Sequence, residues 1–319
     1  MRNFILNSSN IVPNTNNSKL VYQFSGGGIT IKKGQKVALA SVQMYYSTFN
    51  ITAAQGNNVF NYIWFDGTTN VITIPDGFYD ADGLNNYLRF EMLANKHYLT
   101  TITSGEIVYF LAISTNATFY SIQLDCFIMN TTLFPAATYA LPAGATWVVP
   151  TGAASPCPMF QILNNAFKEI IGFAVGFYPQ GNPQPPNTPA VVPYGTTTYG
   201  AAPTYIQSPA YTTNQAFISK DSGLVPQITP LSSYILTCNL VNNTFAVPNN
   251  LLYSFAPVGA FGSQFTIAPN QYVFIDANDG LFTAFELRFT DQNNFPVAIQ
   301  DPNYVIMIII ADKNEGGFS

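Results

Sequence analysis

The chain has 319 residues, of which 48% are apolar and only 8% are charged, with a formal net charge of −5. This length can bury a large core, so one large domain or two modest ones are expected. The charge content lies far below the roughly 25% that is usual in soluble domains. No run of Lys or Arg is present that could follow a phosphate backbone, so specific nucleic-acid binding is not expected. A surface with so few charged residues indicates a protein that is buried against other subunits in an obligate assembly.

The first part of the chain predicts an N-terminal arm followed by strands. Residues 1–17 are polar, rich in Asn and without periodicity, so we expect an arm that does not dock on its own chain. The runs Leu20–Phe24 and Ile29–Ile31 lead through a turn into Lys36–Tyr46, which is rich in β-forming residues and bounded by turn residues and therefore predicts a long strand. Gly26–Gly28 lacks the residues of a phosphate-binding loop and predicts a bulge or a tight packing point.

Two hairpins are predicted in the next segment. Between Asn58 and Ile74, two aromatic and β-branched runs flank Asp66-Gly67, a strong local hairpin signal. The runs Glu106–Ile113 and Thr118–Met129 predict a second hairpin that turns at Ser114–Asn116.

A single clear helix is predicted over residues 81–95, between these hairpins. Leu84, Leu88 and Met92 repeat every four residues there, and Asp80 is placed to accept a hydrogen bond as the N-cap.

Residues 134–230 carry most of the prolines, and this density is expected to exclude central strands and to produce long loops or an inserted elaboration. Within it, Asn164–Ile171 can form one or two helical turns that are capped by Gly172. The stretch Tyr194–Tyr211 is interpreted as ordered loops against neighbouring subunits, with a sugar-binding or partner-binding surface as the alternative.

Strand patterns return after Pro230. They cover Ser233–Leu240, Leu251–Phe255, Gln264–Ile267 and Leu281–Phe289. The last strand, Tyr304–Ala311, is apolar on both faces and is therefore expected in the middle of a sheet. Eight or more strands without strand–helix alternation predict an all-β fold, a two-sheet antiparallel sandwich.

The residues that could act in catalysis are better explained by structural roles. His97 is the only histidine, so any Ser-His-Asp or Cys-His machinery would have to use it, and no matching motif surrounds it. Its position beside Lys96 at the end of the helix predicts an interaction with the helix dipole. We therefore predict no catalytic residue and no enzymatic activity.

Two acidic groups raise the question of a calcium site or of glycosidase carboxylates: Asp76, Asp80 and Asp82, and the pair Asp276 and Asp279. Several of these aspartates precede glycine, as tight turns require, and the EF-hand pattern is missing. We predict turn roles for them, no metal and no cofactor. A glycoside hydrolase that uses Asp276 remains a remote alternative.

Cys126, Cys157 and Cys238 are odd in number and lack metal-ligand spacing, so neither a disulfide framework nor a zinc site is predicted, and a reducing compartment is expected. The first residues contain no apolar run of signal-peptide length, and Tyr304–Ala311 is too short to span a bilayer. We therefore expect neither a secretion signal nor a transmembrane segment.

Several short motifs lie toward the two ends of the chain: Ile74–Tyr79 with the following helix, Ser233–Val241, Asn249–Phe255, Phe261-Gly262, Phe289–Asn293 and Asp301–Val305. Together they resemble the penton (vertex) capsid proteins of virophages and related large double-stranded DNA viruses.

The resemblance implies a single jelly roll with one helix and a long insertion rich in Pro and Tyr. The expected divisions are an arm at 1–17, jelly-roll halves at 18–133 and 231–312, the insertion at 134–230 and a tail at 313–319. The implied function is a homopentamer at the five-fold vertices of an icosahedral virion, assembled in the host cytoplasm beside major-capsid capsomers and a vertex spike or fibre. The alternative is a receptor- or glycan-binding attachment module with the same fold.

Overall fold

The structure is a computed structural model that describes residues 1–151, 155–179, 210–211, 214–228 and 231–312. Its strands are β1 Arg2–Leu6, β2 Lys19–Gln23, β3 Ile29–Ile31, β4 Lys36–Tyr45, β5 Val59–Ile63, β6 Thr69–Thr73, β7 Leu99–Thr101, β8 Ile107–Val108, β9 Leu111–Asn116, β10 Ser121–Cys126, β11 Tyr139–Ala140, β12 Ser155–Pro156, β13 Met159–Ile162, β14 Gly176–Tyr178, β15 Ala210–Tyr211, β16 Gln215–Ile218, β17 Tyr234–Cys238, β18 Leu251–Phe255, β19 Gln264–Ile267, β20 Ile275–Asp276, β21 Gly280–Phe282, β22 Ala284–Thr290 and β23 Val305–Ala311. The α-helices are α1 Ala81–Ala94 and α2 Phe167–Ile171, with 3₁₀ turns at Ser8–Asn10, Ala53–Gln55, Ala117–Phe119 and Ser219–Ser222.

The chain forms two compact units. Met1–Phe49 and Leu231–Ser319 together make one, called the split unit below, and Asn50–Pro230 makes the other, called the inserted unit. This division differs from the predicted one, in which residues 50–133 belong with the first half of the jelly roll. The reason is that β5 pairs with β13 of the Pro-rich region and with β6, and neither β5 nor β6 pairs with a strand of the split unit.

The split unit is an eight-stranded jelly roll. One antiparallel sheet has the order β1-β23-β4-β19, with β20 also paired to β4, and the other has the order β18-β17-β22-β2. When these eight main strands are counted along the chain, the sheets read 1-8-3-6 and 5-4-7-2. Consecutive strands alternate between the two sheets, except that the fourth and fifth strands form a hairpin within one sheet. This strand order is the double Greek key of a jelly roll. This confirms the predicted fold class.

Side chains from both sheets fill the interior of this sandwich. The ring of Phe4 on β1 lies 5.9 Å from that of Phe285 on β22, and Phe289 lies 5.7 Å from Tyr304, all in edge-on contacts that aromatic rings favour. Phe285, Leu287 and Phe289 are buried, as the alternation along this strand predicts. The final strand β23 lies between β1 and β4, which confirms its predicted central position.

The prediction that residues 1–17 form an undocked arm is wrong. Arg2–Leu6 pairs along its whole length with β23, and Leu6 is fully buried. A short edge strand is held mainly by main-chain hydrogen bonds, so it needs few apolar residues and shows little periodicity. Arg2–Leu6 is therefore the first strand of the jelly roll.

The inserted unit contains the antiparallel sheets β14-β13-β5-β6, β16-β10-β9 and β11-β7-β8 around its own apolar core. The hairpin of β5 and β6 confirms the prediction from Asp66-Gly67. Helix α1 begins as predicted, because Asp80 Oδ1 accepts a 2.7 Å hydrogen bond from Gly83 N. Leu84, Leu88 and Met92 are buried on one face of α1. Asn85 Oδ1 links this helix to β9 by accepting from Ile113 N at 3.0 Å.

Two local predictions need correction in the inserted unit. The second hairpin turns at 117–120 and not at 114–116, and Asn116 stays in the strand, where its Nδ2 donates across to Gln123 Oε1 at 3.1 Å. Met159–Ile162 is a central strand, although it lies in the Pro-rich region. Pro156 and Pro158 precede this strand, so its own N–H groups remain free to pair. The predicted short helix before Gly172 is confirmed as α2.

Candidate assembly surface

The loops at one end of the jelly roll form an exposed surface that carries several apolar side chains. They are residues 24–35 between β2 and β4, residues 239–250 between β17 and β18, and residues 268–283 between β19 and β22. We call them together the loop-end surface. Antiparallel pairing brings them to the same end, opposite the end at which the chain leaves β4 for the inserted unit.

Main-chain hydrogen bonds tie these three loops together. Asn242 N donates to Asp276 O at 2.8 Å, and Ala277 N donates to Gln35 O at 3.0 Å. In addition, β3 and β21 pair with each other as a two-stranded ribbon. The loop-end surface is therefore an ordered part of the jelly roll.

Several apolar side chains of this surface face solvent. The exposed fractions are 100% for Phe245, 92% for Val247, 68% for Leu281, 55% for Val273 and 42% for Tyr272. Single exposed apolar residues are common, but several large ones on interlinked loops are typical of a surface that contacts another molecule.

The loop that carries Phe245 has a fixed backbone. Asn243 Oδ1 accepts from Phe245 N at 3.2 Å, and Asn243 N donates to Asn249 O at 2.6 Å. Because a side-chain acceptor and a main-chain bond both close the loop, the benzyl group of Phe245 is held outward without contacts of its own. Residues 242–250 contain no charged residue. The sequence signal for these exposed apolar residues is a Phe-Ala-Val run between Asn-rich turn residues.

The two flanks of the sandwich differ from each other. By strand order, β1 and β2 are the sheet edges on one flank, and β18 and β19 are the edges on the other. Edge strands carry main-chain groups that can pair with another chain. Ile5 on β1 is 54% exposed, and Val258 and Phe261, in the loop that joins β18 to β19, are 57% and 39% exposed.

His97 is a core residue of the inserted unit and does not interact with the helix dipole as predicted. It follows the end of α1, is only 7% exposed, stacks on Trp64 at 4.4 Å and has its Nδ1 2.8 Å from Tyr62 Oη. Burial lowers the pKa of His97 to about 4, so the imidazole is neutral at pH 7 and carries no charge for the dipole. The sequence could not show that the chain folds the rings of Trp64 and Tyr62 against it.

The acidic residues take up local roles. Asp76 Oδ1 accepts from Ala53 N at 2.7 Å, and Asp80 caps α1. Asp82 lies exposed in the first turn of α1, where a negative charge is favourable. Asp276 lies 3.8 Å from Lys36 Nζ, and Asp279 is exposed. In the described ranges, no group of three or more His, Cys, Asp or Glu side chains could hold a metal ion.

The structure describes the three cysteines and Gly28, but not the stretch Tyr194–Tyr211. The three cysteines are buried free thiols, and burial raises the pKa of Cys238 to about 12. Gly28 is a tight packing point, as predicted, because an added Cβ would lie 2.6 Å from Phe282 O. The stretch Tyr194–Tyr211 lies outside the described residues, apart from the backbone of β15, so its interpretation stays a prediction.

No helix in the described part of the chain has the length and apolar character needed to cross a membrane.

The chain is similar to several solved structures. No family model and no curated protein matches the chain. Among solved structures, the chain is similar to the mavirus penton protein, with 11% identity and a TM-score of 0.39 over 97% of this chain and 98% of that one. It is also similar to a chain in the cryo-EM structure of the Sputnik virophage, with 12% identity and a TM-score of 0.37 over 99% and 98%. The assignment as a jelly roll rests on the strand order of the split unit itself.

Proposed function

We propose that this protein is a structural, non-enzymatic subunit of an icosahedral virus capsid, and that five copies form the penton that closes each five-fold vertex. The observation that carries the proposal is a complete jelly roll whose loop-end surface leaves uncharged apolar side chains exposed in a chain with only 8% charged residues. The motifs that resemble vertex capsid proteins support the same function.

A five-fold ring needs a heterologous interface, in which one surface of a subunit meets a different surface of the next. The split unit offers two such surfaces, the flank of β1 and β2 and the flank of β18 and β19. Permanent interfaces of this kind commonly bury more than about 2,000 Å² and depend on apolar and aromatic anchors. We therefore assign the ring contacts to the two flanks.

The loop-end surface is then left for other shell proteins, and we assign it to contacts with neighbouring major-capsid capsomers. Phe245 and Val247 would act as anchors that fill an apolar depression of the partner. The protein would reside at virion vertices after assembly in the host cytoplasm, without binding nucleic acid specifically. A vertex spike or fibre is a further partner in this proposal.

The copy number and the position of the protein in purified particles test the proposal. Twelve vertices with five copies each require about 60 copies per particle, which quantitative mass spectrometry measures. Immunogold labelling should mark vertices only. A purified pentamer of the 34.9 kDa chain would weigh about 175 kDa by mass photometry. Absence of the protein from purified particles would contradict the proposal.

The loop-end surface is tested by the double variant Phe245→Ser with Val247→Ser in cells that produce particles. We expect normal folding, because both side chains are exposed, and at least about a tenfold loss of incorporation into particles. The matched control is Phe295→Ser, which removes a phenyl ring that is 68% exposed at the other end of the jelly roll. Equal incorporation of the double variant and the control would remove this surface from the proposed assembly.

A further inference from the structure

A cleft of about 320 Å³ opens on the face of the β18-β17-β22-β2 sheet that is turned away from the core. Thr237 on β17 and Glu286 and Arg288 on β22 form part of its lining, and they alternate along their strands with the buried Leu236, Leu287 and Phe289. The function proposed above does not use this cleft.

Three of the few charged side chains of the protein meet beside this cleft. Glu286 Oε2 lies 2.6 Å from Lys19 Nζ, and Glu286 Oε1 lies 3.0 Å from Arg288 Nη2. Lys19 and Arg288 are direct cross-strand partners. Two cations and one carboxylate leave the group with one net positive charge, and Arg288 uses only one of its five N–H donors on Glu286.

The rest of the lining is almost entirely polar and comes from separate segments. Asn239, Asn250 and Asn294 contribute amide groups, and Asn239 Oδ1 accepts from Glu286 N at 2.9 Å, which leaves its Nδ2 to donate elsewhere. Thr290 also lines the cleft and is only 5% exposed, and its hydroxyl has no hydrogen-bond partner among the described residues. Burying a hydroxyl without a hydrogen-bond partner costs free energy, so a ligand that forms a hydrogen bond with the Thr290 hydroxyl would bind favourably.

We propose that this cleft binds one carboxylate of a polypeptide segment, with Arg288 as the charged partner and the asparagine amides contacting the adjoining peptide groups. The planar guanidinium matches the geometry of a carboxylate. A single negative charge brings the group of Lys19, Glu286 and Arg288 to neutrality, whereas a phosphate or sulfate dianion would leave the group with one net negative charge. No aromatic ring lines the described cleft, so a sugar would have no ring to stack on.

An ordinary cross-strand ion cluster would have the same three charges without any ligand, and binding measurements separate the two cases. The full chain, labelled with ¹⁵N, is titrated with the peptide acetyl-Gly-Glu-Gly-amide and with the matched neutral peptide acetyl-Gly-Gln-Gly-amide. We expect saturable amide shifts around Arg288, Asn239 and Thr290 with the acidic peptide only. Equal shifts with both peptides, or none with either, would overturn the proposal.

Two variants test the charge argument. Arg288→Met keeps the aliphatic stem and should weaken binding of the acidic peptide at least about tenfold, while Arg2→Met, which removes a cation on β1, should leave it unchanged. Glu286→Gln raises the net charge of the cleft, so it should strengthen peptide binding several-fold and also admit inorganic phosphate. Unchanged binding in Arg288→Met, with the native amide spectrum retained, contradicts the proposal.

Free acetate separates a bare carboxylate from one that is carried by a polypeptide. We expect acetate to bind at least several-fold more weakly than the acidic peptide, because it lacks the peptide groups that the asparagine amides would contact. Equal affinities would overturn the polypeptide part of the proposal.

Discussion

Thr48 Oγ1 lies 2.6 Å from Tyr234 Oη, and this buried pair joins the segment that leads into the inserted unit to the segment that returns from it. On the other side of the boundary, Asn50 Nδ2 donates to Ile228 O at 2.6 Å and so links the two ends of the inserted unit. A large insertion is tolerated in a loop when the chain ends that flank it are held close together, because the host fold then keeps its own loop geometry.

The hydroxyl pair gives the first prediction. Tyr234→Phe leaves the buried Thr48 hydroxyl without this partner, so the free energy of unfolding should fall by about 1–2 kcal/mol in urea denaturation. Thr48→Val should cost a similar amount. The double variant should lose less than the two single losses added together, since the second change removes a group that is already unpaired. Strict additivity would show that the hydroxyls do not interact.

Gly28 gives the second prediction, because its position is restricted by both backbone and space. Its φ is +115°, and an added Cβ would lie 2.6 Å from Phe282 O. Gly28→Ala should lower the free energy of unfolding by at least about 2 kcal/mol. The control is Gly27→Ala, which has a φ of +97° but nothing within 4 Å of the added Cβ, and which should cost about 1 kcal/mol. Equal losses would mean that the contact with Phe282 is unimportant.

Local patterns predicted the elements whose stability is local. The Asp66-Gly67 hairpin, the capped helix α1 and the alternation along β22 all appear in the structure as the sequence indicates. The jelly roll also followed from the strand pattern together with the resemblance to vertex capsid proteins.

Non-local pairing explains what the sequence did not show. The partner of β13 is β5, about 100 residues earlier in the chain, and no local signal assigns both to the inserted unit. The same holds for β1, which pairs with the last strand of the protein. The exposed Phe245 was missed because the Phe-Ala-Val run shows apolar residues between turn residues but does not show whether their side chains face solvent.

The third prediction tests the N-terminal strand. Leu6 is fully buried, so Leu6→Ala should lower the free energy of unfolding by about 2–4 kcal/mol. Its neighbour Ile5 is 54% exposed, and Ile5→Ala should change the free energy by less than about 0.5 kcal/mol. Urea denaturation of both variants measures the difference. A loss below about 0.5 kcal/mol for Leu6→Ala would support the arm that the sequence indicated instead of an integral strand.

The fourth prediction concerns the pH dependence that His97 confers on the inserted unit. Its pKa falls from the usual 6.5 to about 4 because burial disfavours the charged ring, so the folded protein binds fewer protons than the unfolded chain between these values. The contribution of His97 is therefore complete above pH 6.5 and is lost progressively as the pH falls toward 4.

His97→Gln removes this titration and isolates it from that of the carboxylates. Between pH 7 and pH 4.5 the unmodified protein should lose about 2 kcal/mol more unfolding free energy than the variant, as measured by urea denaturation at each pH. His97→Gln also loses the stacking on Trp64, so it should be the less stable protein at pH 7, and the gap should narrow as the pH falls. Parallel pH profiles for the two proteins would show that His97 titrates normally and is not held neutral by the core.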